Sequence, residues 1–286
     1  MAERWLVVSD VDHTLLEHPS EIPITANCLR QLRQRGINTW LASSKTFTEM
    51  VELQSQLGLP AQPFLFENGC GIGWPHKRWP PHTTLAEPAR VLGDYGAIVR
   101  GEPPAPLQAR LKRLRDTTGW RFSLLEELPF SAIKALIGLD EHLARQALER
   151  LASVPLVWNG DDSEFVRLQQ HLAREGICAV QGGHLVHVAA PFHKGEALAH
   201  LLAMRGSGSG PLRVLACGDS ENDRTLLERA DLALVFHPPD RQPMVLGHQA
   251  KNPAIPVCST GGPIRWLEAV EAALAIGDQN MYYPDR

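Results

Sequence analysis

Short apolar runs and amphipathic stretches alternate along the first ninety residues. Trp5-Leu-Val-Val8 reads as a buried strand. Thr25 precedes a helical pattern with Ala26, Leu29 and Leu32 on one face, and Gly36 stops it. Ile37 to Ala42 predicts a second strand. Thr46 is placed to cap a helix carrying Phe47, Met50, Val51 and Leu57, and Phe64-Leu-Phe66 predicts a third strand. Strand, helix, strand, helix, strand is the pattern of a parallel sheet with helices on its faces.

The middle of the chain reads differently. Pro80-Pro81 and the prolines from Pro103 to Pro106 punctuate it. Helical periodicity follows over Leu107 to Leu114, then at Leu143, Ala147, Leu148 and Leu151 with Asp140 as a cap. Leu156 to Trp158 predicts a strand, and Phe165, Leu168 and Leu172 mark a helix ended by Gly176. Ile177 to Val180 and Leu185 to Val188 predict a hairpin around Gly182-Gly183.

After Lys194 the first pattern returns. Helices are expected over Lys194 to Met204, Asn222 to Ala230 and Pro263 to Ala275, and strands over Arg213 to Cys217 and Leu232 to Phe236. Gly206-Ser-Gly-Ser-Gly210 reads as a linker. The expected architecture is an α/β core, discontinuous over 1–90 and 190–286, carrying an inserted α/β cap over 91–189.

Composition narrows the function. With 286 residues, 44% hydrophobic and 21% charged, the chain has ample material for a folded core. A net charge of -4 argues against a general nucleic-acid binder. The five cysteines are scattered without a C-x-x-C pair, which argues against a disulfide framework or a structural zinc site. No secretory signal and no apolar run long enough to span a bilayer are found, so a soluble, cytoplasmic protein is expected.

Four motifs carry candidate chemistry. Asp10 and Asp12, two apart just after the first strand, are expected to point to one side. Paired carboxylates there repel one another, and a hard cation such as Mg²⁺ relieves that. One is then free to act as a nucleophile and the other as an acid or base; Asp12 capping a turn is the plainer alternative. Ser43-Ser44-Lys45-Thr46 brings hydroxyls, a cation and a helix start suited to phosphate, or simply caps the helix. Lys194 opens a helix where the chain returns to the core; its charge either balances such a site or is solvated. Asp219 and Asp223, four apart in Gly218-Asp-Ser-Glu-Asn-Asp223, either face one site or form an acidic first turn.

In this order, D-x-D-x-T, Ser, Lys, G-D-x-x-N-D, the motifs resemble those of the haloacid dehalogenase-like phosphohydrolases. Within them the chain resembles the mannosyl-3-phosphoglycerate phosphatases. The closer marks are Ser43-Ser-Lys-Thr46, Glu67-Asn-Gly69, Gly182-Gly183 with His187, Lys194-Gly195, Gly218 to Asp223, and Gly262-Pro-Ile-Arg-Trp266 with Glu268-Ala-Val270. The resemblance implies a Rossmann-like parallel-sheet core with a cap that closes over a small phosphate ester. It implies Asp10 as nucleophile, Asp12 as acid and base, and Ser43 and Lys194 as phosphate ligands. Mg²⁺ would be held by Asp10, Asp219 and the Asp12 backbone carbonyl, with Asp223 in support. Gly183, His184 and His187 would face the substrate from the cap.

The chain departs from that pattern at four places. His13 stands where these enzymes usually have Gly, His184 replaces an Arg after Gly182-Gly183, Val154 replaces a Glu between Ser153 and Pro155, and His193 replaces an Asp. An Arg and a Glu expected near a glycosyl-glycerate are therefore missing. Mannosyl-3-phosphoglycerate is the expected substrate. Glucosyl-3-phosphoglycerate, sucrose 6-phosphate and hexose phosphates are the alternatives that keep the chemistry and fit an altered cap. A binding protein on a dead scaffold would lack one of Asp10, Asp12, Lys194 or Asp219, and all four are present. His184 and His187, three apart, are not expected to share a metal. Trp158 and Trp266 are expected in the core.

Overall fold

The computed structural model describes residues 4–59, 62–76, 88–138, 140–205, 211–247 and 254–282. Pro80-Pro81 and the Gly206–Gly210 stretch lie outside them. Two sheets organise the molecule. The larger contains β1 (Arg4–Ser9), β2 (Asn38–Ala42), β3 (Phe64–Phe66), β4 (Gly71–Pro75), β5 (Ala89–Leu92), β6 (Tyr95–Val99), β11 (Leu212–Gly218), β12 (Leu232–His237) and β13 (Ile255–Cys258). Its order is β13-β12-β11-β1-β2-β3-β4-β6-β5. The run from β13 to β3 is parallel, whereas β4, β5 and β6 join antiparallel. The larger sheet therefore continues to Val99, past the boundary expected at residue 90.

Helices cover both faces of this sheet, which is why β1 and β11 are apolar almost throughout. On one side α1 (Ile22–Gln34), α2 (Phe47–Gln56) and α9 (Gly262–Tyr282) bury Leu29, Leu32, Met50, Leu53, Trp266 and Val270 against Val7 and Leu215. On the other, α7 (Lys194–Ala203) and α8 (Arg224–Arg229) bury Leu198, Leu201, Leu226 and Leu227 against Leu6, Val8 and Val214.

The cap is built on a four-stranded antiparallel sheet, β7 (Phe122–Leu124), β8 (Ser153–Trp158), β9 (Cys178–Gly182) and β10 (Leu185–Ala189), in the order β7-β8-β10-β9. Helices α3 (Pro104–Thr118) and α6 (Asp162–Arg174) pack on one face, around Val154, Leu156, Val186 and Val188. Residues between these on β8 and β10, Ser153 and His187 among them, take the opposite face. The short helices α4 (Phe130–Ile137) and α5 (Glu141–Gln146) complete the cap.

The predicted hairpin is present, with Leu185 opposite Gly182. So are the caps at Thr46 and Asp140: the Glu49 N–H donates to the Thr46 hydroxyl at 3.2 Å, and the Leu143 N–H to Asp140 at 2.9 Å. Other boundaries differ. Helix α1 starts at Ile22, before Thr25, because Pro23 fits its first turn; the Thr25 hydroxyl bonds back to the Glu21 carbonyl at 2.9 Å. Helix α5 ends at Gln146 and not near Leu151, because the Leu151 N–H is taken by Glu67 at 2.7 Å. The stretch expected to be helical from Asn222 opens as a 3₁₀ turn, Glu221–Asp223.

Candidate active site

The predicted motifs on the core, Lys194 at the start of α7 aside, follow C-terminal ends of the core strands, where open α/β sheets bind ligands. Asp10 follows β1, Ser43 follows β2, Glu67 follows β3 and Asp219 follows β11. The Asp10 N–H donates to the Cys217 carbonyl at 2.9 Å, which ties the first and last of these loops together. Behind Asp10, the Trp266 indole donates to the Ser9 hydroxyl at 3.1 Å, and that hydroxyl donates to the Asp10 carbonyl at 2.7 Å.

Lys194 is the electrostatic centre. It is fully buried, and its ammonium lies 2.5 Å from Asp10 Oδ1 and 2.6 Å from Asp223 Oδ1. Burial opposes its charge, but Asp10 and Asp223 outweigh burial and raise its pKa above the ordinary lysine value. The second oxygen of Asp223 accepts from the N–H groups of Asp219 and Ser220 at 3.1 and 3.2 Å. Asp223 thus binds the lysine and shapes the Asp219 loop at once. Gly218 makes this approach possible: a Cβ there would stand 2.5 Å from the Cβ of Asp223.

Asp10, Asp219 and Asp223 bring carboxylate oxygens within 4.8 Å of one another. Burial and then the Asp223 charge push Asp10 up to about 7, against the pull of Lys194. Burial and the charges of Asp10 and Asp223 push Asp219 up to about 8. The Thr14 hydroxyl reaches Asp219 only at 3.4 Å. One lysine does not balance this much buried negative charge, and the oxygen donor set suits a hard divalent cation. Asp12 is not in the cluster. Its carboxylate, about half exposed, pairs with Lys45 at 2.9 Å. Burial opposes the charge of Lys45, while Asp12 and Glu49 outweigh it and raise the lysine pKa.

A cleft of about 400 Å³ lies between core and cap. Asp10, Asp12, Ser44, Lys45 and Asp219 line its floor, and Leu136, Ile137, Arg150, Gly183, His184 and His187 line it from the cap. Ser43 is fully buried beneath this floor, where its hydroxyl accepts from the Lys45 N–H at 3.2 Å.

Residues 7–87 match the family model described as haloacid dehalogenase-like hydrolase. A haloacid dehalogenase-like hydrolase from Bacteroides thetaiotaomicron superposes with a TM-score of 0.62 at 17% identity, covering 94% of this chain and 99% of that one. Another protein of that organism, described among the phosphatases of the same superfamily, gives 0.58 at 16% identity over 94% and 95%. A structure from a phosphoryl-transfer superfamily gives 0.57 at 14% identity over 96% and 99%. The fold is that of the haloacid dehalogenase-like hydrolases.

On this haloacid dehalogenase-like scaffold the departures from the family motifs acquire places. His13 has φ +62°, in the left-handed region that glycine enters without strain. Val154 is packed in the cap's hydrophobic core, away from the cleft. His184 is exposed at the cleft edge, whereas His187 is 5% exposed, with no partner for Nδ1. Burial, then the charges of Arg150 and Lys194, hold His187 down to about 3, so it is neutral in the folded protein. No metal-binding group among the described residues includes either histidine.

Sequence reasoning missed the individual importance of Lys45, Arg150 and Glu67. Lys45 sat inside the quoted serine motif and was knowable as its only cation. Arg150 had no motif signal, since only the folded cap carries it to the cleft. Glu67 stands in the Glu67-Asn-Gly69 motif, but no local signal shows that its carboxylate reaches the cap. All five cysteines are free, and no described helix is long and apolar enough to cross a membrane.

Proposed function

We propose that this protein is a phosphatase acting on phosphate monoesters of small sugar-type alcohols, through an aspartyl-phosphate at Asp10. One observation carries the reading: Lys194 joins Asp10 to Asp223, beside Asp219, at the floor of a cleft roofed by the cap. The phosphatase and phosphoryl-transfer descriptions of the structural neighbours support it.

The carboxylate of Asp10 attacks phosphorus, and the bond from phosphorus to the ester oxygen breaks. Asp12, two residues on, gives the leaving oxygen its proton. In the second half Asp12 takes a proton from water, which attacks the aspartyl-phosphate and releases phosphate. Lys194 holds Asp10 in place and offsets phosphoryl charge, and Lys45 and the Ser43–Ser44 loop meet the remaining oxygens. Asp10, Asp219 and the Asp12 backbone would hold Mg²⁺, with Asp223 shaping the loop; the bound ion supplies charge neutralisation at the transferring group. The cap excludes water and contacts the leaving alcohol.

The substrate we favour is mannosyl-3-phosphoglycerate, giving mannosylglycerate, on the strength of the motifs that run through the chain. The test is phosphate release from mannosyl-3-phosphoglycerate, glucosyl-3-phosphoglycerate, sucrose 6-phosphate and hexose phosphates, with Mg²⁺ or EDTA. Metal-dependent preference for the first supports the full reading. Preference for another ester retains the mechanism and moves the substrate. No release from any of them refutes the phosphatase.

A further inference from the structure

Residues 146 to 153 of the cap carry a dense set of hydrogen bonds to the core, beside the His142–Glu52 pair and the packing of Gly182 on Asn222. The Thr46 hydroxyl donates to the Gln146 carbonyl at 3.0 Å. Arg150 Nη1 donates to the Ser44 carbonyl at 2.6 Å, and its Nε to the Ala147 carbonyl at 2.9 Å. The next three residues all donate to one core side chain. Glu67 accepts from the Leu151 N–H at 2.7 Å, the Ala152 N–H at 3.0 Å and the Ser153 hydroxyl at 2.6 Å.

Glu67 is 1% exposed and sits in a strained turn: its φ is +47°, and that of Asn68 is +58°. Two left-handed non-glycine residues in a row persist only where surroundings fix them, and here they do. The Glu67 N–H donates to the Lys45 carbonyl at 2.9 Å, and the Asn68 N–H to the Ser43 carbonyl at 3.0 Å. Asn68 Oδ1 accepts from the Asn222 amide at 3.0 Å. Gly69 lies so close to the next element that a Cβ would stand 2.5 Å from the His193 carbonyl carbon. The turn therefore ties the Ser43–Lys45 loop, the Asp219–Asp223 loop and the root of Lys194 to the stretch bearing Arg150.

Arg150 is held by backbone carbonyls, with no carboxylate partner among the described residues, yet it lines the cleft beside His187. A cation presented this way, from the cap into the cleft that Asp10 also lines, suits an anion carried by the leaving group. Lys194 and Lys45 already serve the phosphoryl side from the core.

We propose that Arg150 recognises a carboxylate on the leaving alcohol, and that Glu67 is the positioning residue that holds Arg150 over the cleft. This rests on the phosphatase reading and deepens it: the preferred substrates carry a carboxylate besides the ester phosphate. The arginine absent at position 184 is then supplied from a different segment of the cap.

The test uses a matched pair, 3-phosphoglycerate and glycerol 3-phosphate, which share a skeleton and differ by the carboxylate. Wild-type protein is expected to show the lower KM for 3-phosphoglycerate. R150A should raise that KM about ten- to hundredfold, the cost of one charged hydrogen-bonding group, and change glycerol 3-phosphate little. R150K should recover part of the loss. E67Q, which keeps the shape but weakens the clamp, should shift the same KM in the same direction with kcat nearly unchanged. An equal loss on both esters in R150A would assign the guanidinium to the phosphoryl group or the loop and overturn the proposal. So would no loss on either. If wild-type protein hydrolyses neither ester, the phosphatase reading is judged separately, on the glycosylated and hexose phosphate esters named above. The pair is then compared as ligands by calorimetry, where a carboxylate preference abolished in R150A supports the proposal and any other result overturns it.

Discussion

Lys194 and Asp223 form an ion pair of 2.6 Å in which both side chains are fully buried. Such a pair brings little net stability against an apolar replacement of both partners, but removing one strands the other. Here the lysine also serves Asp10, so one cation governs two carboxylates.

Replacing Lys194 by Met should therefore cost both stability and activity. We expect a loss of about 3–5 kcal/mol in unfolding free energy, the usual result of orphaning buried charge, together with loss of detectable phosphate release. Urea denaturation of the purified variant checks the first. A variant with wild-type stability would contradict the account of the buried centre.

His13 carries a backbone cost that its side chain does not recover through any contact seen in the structure. A left-handed φ costs an L-residue about 1–2 kcal/mol, and extra freedom of glycine in the unfolded chain returns about 0.4–1 kcal/mol of that. His13→Gly should accordingly raise stability by up to about 1 kcal/mol, read as a higher denaturant midpoint with an unchanged slope. A lower midpoint would show that the imidazole has a stabilising partner.

His187 makes the fold acid-sensitive. Its pKa is about 3 in the folded protein, against 6.5 as the ordinary value. As pH falls through 6.5 the unfolded chain gains a proton that the folded one refuses, so stability declines from there toward pH 3. The slope approaches about 1.4 kcal/mol per pH unit. His187→Gln should lose less stability than wild type between pH 7.5 and pH 5; parallel pH curves for the two would contradict the assignment.

The acidic cluster predicts a metal response independent of turnover. Mg²⁺ should raise the melting temperature of the wild-type protein by binding the folded state alone, and EDTA should remove the gain. Asp219→Asn should blunt it. An unchanged response in that variant would place the ion elsewhere.

Much of this was legible before folding was considered. β1 and β11 announce themselves as apolar runs, and the acidic residues after them mark the site. Thr46 with Glu49 and Asp140 with Leu143 are local signals, and both caps form. What stayed hidden depends on distant partners. β5 and β6 are short and separated by a tight turn at Gly93, and it is pairing of β6 with β4 and of β5 with β6 that makes them strands. The helix pattern reaching Leu151 yields to Glu67, 84 residues away. Asp12 was legible as a carboxylate set beside Asp10 after the first strand, but its pairing with Lys45 was not, because the two loops meet only in the sheet.

The most direct test is to trap the phosphorylated enzyme. The protein is mixed with its best ester and Mg²⁺, quenched in acid and mapped by mass spectrometry. The account predicts one hydroxylamine-labile phosphoryl group on the peptide containing Asp10, absent in Asp10→Asn, which also releases no phosphate. Undiminished turnover by Asp10→Asn, or label on another residue, would contradict it.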